Sequence, residues 1–142
     1  MAWVLRHSRR FWVGRHERLG LLVVPESELR GKAVDVLNVF VLSQQRVGAF
    51  KASTLRERID KRSLGEEEAQ KALDEYIAFN HSTYLRQAGS PLSPLRVAKR
   101  SRGRVTHCYR CSAHLDSDAH LECSACGWLV CTCGACGCGY SQ

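Results

Sequence analysis

Apolar residues enter the chain in short bursts. Trp3, Val4 and Leu5 precede a polar break, Phe11, Trp12 and Val13 follow, Gly14 marks a turn, and Leu21 to Val24 closes the series. Bursts of β-branched and aromatic residues between glycine and charge predict a small antiparallel ribbon over residues 1–24. Pro25 ends it, and Ser27, with Glu28 behind it, is placed to cap a helix. From there the period changes. Leu29, Ala33, Val36, Leu37, Phe40 and Val41 recur three and four apart, which predicts a helix over 28–44; Val39 to Leu42 taken alone also fits a strand. Gly48 interrupts the pattern. Ser53 or Thr54 then caps a short helix running to about Lys61, with Leu55 and Ile59 facing inward. Ser63-x-x-Glu66 is a capping box that opens a helix whose stripe is Ala69, Ala72, Leu73, Tyr76 and Ile77, with an expected end near Asn80–His81. Thr83 to Leu85 and Leu95 to Ala98 read as extended, separated by the turn residues Gly89, Ser90, Pro91, Ser93 and Pro94.

Three helices, the last two joined by a short turn and followed by a pair of strands, form an order that resembles a winged helix-turn-helix over roughly residues 28–99. The expected architecture is α+β: an N-terminal β-ribbon and winged-helix-like helical domain over 1–99, a basic linker at 100–106, and a C-terminal metal module over 107–142. A winged helix inserts the start of its third helix into the major groove. Here that position carries Glu66, Glu67 and Glu68, with Asp74 and Glu75 beyond and Lys71 as the base. Carboxylates suit a helix N-terminus but repel phosphate, so the expected neighbour of this helix is protein or solvent.

Charge sharpens the division. Of a net +7, residues 1–18 hold five arginines against Glu17, and residues 96–104 hold five bases with no acid, whereas 19–95 balance and 105–142 are net −2. Two short basic clusters therefore flank a neutral stretch. Arg96, Lys99, Arg100, Arg102 and Arg104 are the first candidates for phosphate contact, followed by Arg6, Arg9 and Arg10 beside Trp3, Phe11 and Trp12, aromatics of the kind that either stack on unpaired bases or fill a core. With 142 residues, 44% hydrophobic and 25% charged, the composition is globular. The longest apolar run, from Leu19 to Val24, is far short of the roughly 18 residues of a membrane span, and no secretory pattern is present. The expected setting is the cytoplasm, or a nucleus, without membrane contact.

All eight cysteines fall between Cys108 and Cys138: Cys108-x2-Cys111, Cys123-x2-Cys126, then Cys131-x-Cys133-x2-Cys136-x-Cys138. A disulfide scaffold fits a secreted chain, whereas tight C-x2-C and C-x-C pairs fit metal ligation. His107 to Cys111 and Glu122 to Gly127 resemble a short zinc ribbon, and all eight thiols suffice for two zinc ions without His107, His114 or His120. Two pairings are open. The sequential one, with Cys108, Cys111, Cys123 and Cys126 on one ion and the last four on the other, closes the shorter loops and is preferred. An interleaved one uses Cys133-Gly-Ala-Cys136 as the second knuckle for Cys108 and Cys111. Iron–sulfur strings and the ligand order of a RING-like module match less well. Two zinc–tetrathiolate sites would carry −2 each, taking the chain to +3 and the module to −6. A segment this short has too little apolar surface to fold without its metal. Walker, G-x-S-x-G and deaminase patterns are absent. The expected function is therefore non-enzymatic: a zinc-binding accessory subunit that touches DNA or RNA backbone through its basic edges and larger protein subunits through its helical and zinc modules. The alternatives are a free-standing DNA-binding regulator and a pure protein adaptor.

Overall fold

A computed structural model describes residues 2–6, 9–29, 35–62, 64–97, 105–116 and 121–140. It is mixed α+β, and its compact units are Met1–Tyr76 and Ile77–Gln142, so the division falls inside the longest described helix.

The first unit is built on a five-stranded antiparallel sheet whose strands lie in chain order: β1 (Ala2–Arg6), β2 (Arg9–His16), β3 (Gly20–Pro25), β4 (Val36–Val41) and β5 (Arg46–Lys51). The expected ribbon is present and larger than its sequence signal. Register puts Val4 opposite Phe11, Val13 opposite Val23 and Val23 opposite Phe40, so these share one face. Tyr76, on the helix α3 (Glu66–Ala88), meets that face with its ring centroid 6.0 Å from Phe11 and 5.3 Å from Phe40. The other face gathers Leu22, Val24, Leu37, Val39 and Val41 with Ala52 and Leu55 of the short helix α2 (Ala52–Glu57). Both faces are covered, which is why β3 and β4 read as near-continuous apolar runs instead of alternating ones.

That dual burial corrects the expected helix over 28–44. Among the described residues of that span, Glu26–Leu29 (α1) forms one helical turn, Leu42–Gln44 a 3-10 turn, and Val36–Val41 is a strand paired with β3 and β5. Leu37, Phe40 and Val41 satisfy a helical period and a strand buried on both sides equally well; the neighbouring strands decide. Ala33 lies outside the described residues. Gly48 does not break the chain but sits inside β5, and the reversal comes earlier, at Gln45, whose φ is 50°.

α3 shows the expected stripe, with Ala69, Ala72, Leu73 and Ile77 buried. The capping residue Ser63 lies outside the described residues. The helix does not stop at Asn80–His81 but continues to Ala88, so Thr83 to Leu85 are helical and not extended. It ends on a Schellman motif: Gly89, at φ +71°, donates to the Arg86 carbonyl and Ser90 to that of Leu85. A strand in place of the first helix, and helix in place of the first wing strand, depart from the winged-helix order.

The second unit contains the last turns of α3 and two small two-stranded antiparallel pairs. β6 (Leu95–Val97) pairs with β9 (Leu121–Cys123), and β7 (Val105–His107) pairs with β8 (His114–Asp116). The expected strand at Leu95 is thus present, with a partner in the cysteine segment; Ala98 lies outside the described residues. No helix among the described residues is long and apolar enough to cross a membrane.

Candidate metal centre

Each C-x2-C pair is carried by a tight turn that two backbone hydrogen bonds set. In the first knuckle, between β7 and β8, Cys108 N–H donates to the Ala113 carbonyl and Ser112 N–H to the Cys108 carbonyl, both at 2.9 Å. In the second, Cys123 N–H donates to the Trp128 carbonyl at 2.9 Å and Gly127 N–H to that of Cys123 at 2.8 Å. The residue after the second cysteine is left-handed in both, Gly127 at φ +73° and Ser112 at +63°, so the first knuckle places a serine where the second has glycine. The remaining four cysteines lie around a turn at Gly134, whose φ is +91° and whose N–H donates to the Cys131 carbonyl at 2.8 Å.

These turns assemble two sets of four sulfurs, Cys108, Cys111, Cys131 and Cys133 in the first, Cys123, Cys126, Cys136 and Cys138 in the second, with the atoms of each set all within 4.8 Å of one another. The pairing is crossed: first pair with third, second with fourth. Neither the preferred sequential arrangement nor the Cys133–Cys136 knuckle forms. Sulfur separations of 3.7 Å for Cys108–Cys133, 3.4 Å for Cys111–Cys131 and 3.8 Å for Cys123–Cys138 are far from a disulfide bond of about 2.05 Å. They lie close to the edge of a tetrahedron with Zn–S bonds of about 2.3 Å, which is about 3.8 Å. Each set can hold a metal ion. His107 and His114 stand across β7 and β8, rings 5.9 Å apart, and belong to neither set; His120 lies outside the described residues.

Thiols bind metal as thiolates, so their acidity matters. A hydrogen bond from the Cys131 thiol holds Cys133 down at about 5 and correspondingly raises Cys131. In the second set burial raises Cys136 and lifts Cys138 to about 11. Burial also acts on Cys126, but the Trp128 backbone N–H and the neighbouring thiols outweigh it and lower that group. Metal binding must therefore displace protons from the raised members of each set.

The end of α3 is built into this centre. Asn80 donates from Nδ2 to the Thr132 carbonyl at 2.9 Å, and the Tyr84 hydroxyl donates to the Cys136 carbonyl at 2.9 Å. His81, wholly buried, lies with Nε2 3.4 Å from the Cys136 sulfur, and burial lowers its pKa. A Cβ at Gly134 would fall 2.3 Å from the Asn80 carbonyl, so the turn packs directly on helix backbone. A helix end at Asn80–His81 leaves these residues out of the sequence-predicted site; the signal for them is Ile77, His81, Tyr84 and Leu85, which continue the stripe past Asn80. Outside the sulfurs, Tyr109, Trp128 and Tyr140 form a half-exposed ring cluster, with centroids 5.1 Å apart for Tyr109–Tyr140 and 5.3 Å for Trp128–Tyr140. Gly137 backs it, since a Cβ there would meet the Trp128 ring at 2.7 Å.

Compared with models of known protein families, with curated proteins and with solved structures, the chain matches none.

The residues expected to meet phosphate are distributed differently from the cysteines. Arg6 is buried, its guanidinium held by Asp74 at 2.8 Å and Gln70 at 2.6 Å. Arg10 stacks 4.5 Å over the Trp3 ring and pairs with Glu26 at 3.5 Å, while Arg9 is exposed. Arg96 bonds through Nε to the buried Glu122 carboxylate at 2.6 Å. Lys99, Arg100, Arg102 and Arg104, with the greater part of the 100–106 linker, lie outside the described residues. Phe11 is core, and Trp12 packs against the Leu22 cluster, which leaves Trp3, half-exposed with Arg10 over one face, as the accessible ring of the three. Among the acidic residues at the start of α3, Glu68 pairs with Arg15.

Proposed function

We propose that the chain is a non-enzymatic accessory subunit in which two structural zinc ions organise a protein-docking module, and which works within a nucleic-acid-handling complex. The observation that carries this reading is the half-exposed Tyr109, Trp128 and Tyr140 cluster on a module whose sulfurs form two complete four-ligand sets. Four thiolates leave no coordination position for water, which supports a structural and not a catalytic metal. Clustered tyrosine and tryptophan are the residue types that dominate protein–protein hot spots. A loaded module of formal charge −6 is a poor phosphate binder, so contact with DNA or RNA rests on Lys99, Arg100, Arg102 and Arg104 and on Arg9, Arg96 being engaged through Nε with Glu122. Arg6 is excluded from that role by its buried pairing.

The test is purification of the tagged full chain from its native host, with cross-links mapped, beside a Trp128→Ala variant. The expected result is a defined set of protein partners cross-linked around Tyr109 and Tyr140, lost in the variant while two zinc ions remain. Binding of nucleic acid by the purified chain should be weak and insensitive to sequence, and should decline with salt by about 0.9 log units per log unit of salt for each duplex phosphate contact. Tight, sequence-dependent duplex binding by the isolated chain would favour the free-standing regulator, and partners without any nucleic acid would favour the adaptor.

A further inference from the structure

His81 belongs to neither sulfur set, yet it is wholly buried and its Nε2 lies 3.4 Å from Sγ of Cys136, a member of the second set. Its other nitrogen, Nδ1, is buried with no hydrogen-bond partner among the described residues. A neutral imidazole carries one proton, and the two placements differ in cost. On Nδ1 it would be a buried donor without an acceptor, while the Nε2 lone pair faced a sulfur that, as metal-bound thiolate, has no proton to offer. On Nε2 it points at an anionic acceptor, and the unpaired group is a lone pair. The neighbouring turns of α3 hold this geometry: Asn80 fastens the Thr132 carbonyl and Tyr84 the Cys136 carbonyl, one residue before His81 and three after it.

We propose that His81 donates its Nε2–H to the Cys136 thiolate and is a positioning residue for the second metal site. The proposal rests on the reading that both four-cysteine sets hold metal. A tetrathiolate centre concentrates negative charge on its sulfurs, and a fixed donor on one of them disperses part of that charge and aims the lone pair that binds the ion. Because the contact is with Cys136, the effect belongs to the second site. The first, Cys108, Cys111, Cys131 and Cys133, serves as an internal control within the same molecule.

The test uses the full chain loaded with cadmium-113 and labelled with nitrogen-15. Two bound cadmium ions per chain are expected, with His81 protonated at Nε2 and bare at Nδ1, and with a through-hydrogen-bond correlation from the Nε2 proton to one cadmium resonance. His81→Leu removes the donor and should make that one site yield its metal to a competing chelator about 10–100-fold more readily, the other site being unchanged. His81→Gln, which offers an amide N–H, should recover part of the loss. Fewer than two cadmium ions overturns the metal reading and this inference with it. Two ions with the proton on Nδ1, or equal weakening of both sites in His81→Leu, overturns the inference alone. The tautomer is read on the unaltered chain, so the result does not depend on either variant folding.

Discussion

A single methyl group at Gly134 is the sharpest probe of how α3 and the metal loop are joined. Gly134 sits at φ +91°, a region that costs an L-residue about 1–2 kcal/mol. A Cβ built there would lie 2.3 Å from the carbonyl carbon and oxygen of Asn80 and 2.7 Å from the His81 nitrogen. All three are backbone atoms of a helix, which cannot swing aside as a side chain can, so the turn itself has to lift; overpacking of this kind typically costs about 1–3 kcal/mol. Gly134→Ala should therefore destabilise the second unit by about 2–5 kcal/mol. Gly89→Ala is the control. Gly89 is also left-handed, at φ +71°, but none of the described residues lies within 4 Å of its Cβ position, so only the conformational part of about 1–2 kcal/mol applies. Urea unfolding of the zinc-loaded full chain gives the stability, and transfer of zinc to a chromogenic chelator gives the integrity of the sites. Gly134→Ala should lose zinc faster as well as unfold earlier, because lifting the turn pulls Thr132 from Asn80 and Cys136 from His81 and Tyr84. If Gly134→Ala and Gly89→Ala behave alike in both measurements, the turn does not rest on the helix and the description of the centre fails.

Elemental analysis should give two zinc ions per chain, and chelation should expose the amides of residues 105–116 and 121–140 to hydrogen exchange while β1–β5 stay protected. Arg6→Ala leaves Asp74 and Gln70 without their buried partner and should cost about 1–3 kcal/mol in urea unfolding, with no change in the salt dependence of any nucleic-acid binding; unchanged stability with a shallower salt slope would contradict this. His16 accepts the Arg18 and Leu19 amides at Nδ1, and burial holds its pKa below the ordinary 6.5. The unfolded chain then takes up the proton first, so this stabilisation is present above 6.5 and drains away as pH falls from 6.5 through the folded value. His16→Asn keeps an acceptor but no titration, and its urea midpoint should fall less than the wild type's between about pH 7.5 and about pH 5.5.

How far residues announce these features depends on the range of the interactions that decide them. The ribbon strands and the stripe of α3 are local periodicities and can be read directly. The strand at Val36–Val41 is ambiguous, with Val39 to Leu42 fitting either element, because a strand buried on both faces loses its alternation and acquires helical spacings by chance. The eight cysteines are legible as candidate ligands because thiol chemistry at C-x2-C spacing has few other uses, but their grouping is not. The preference for short loops is worth only about 1 kcal/mol on logarithmic loop-closure entropy. The hydrogen bonds from Asn80 and Tyr84, and the packing of Gly134 on α3, together outweigh that, and none of them is local in sequence. Arg6 fails as a phosphate candidate for the same reason: the residues that hold it, Gln70 and Asp74, are more than sixty positions away.

The crossed ligand order has a topological meaning. With metal bound, the stretch from Cys111 to Cys123 is bridged by the first ion, the stretch from Cys133 to Cys136 by the second, and the stretch from Cys126 to Cys131 by both. A single backbone cut anywhere between Cys108 and Cys138 therefore cannot release a fragment without breaking metal–sulfur bonds. Under sequential pairing, a cut after Cys126 would have parted the two halves freely. The same interlock governs biosynthesis: the first site stays incomplete until Cys133 has left the ribosome, and the second until Cys138 has. The centre is thus a knot of two clasps that closes late, nearly at once, and holds even a nicked chain together.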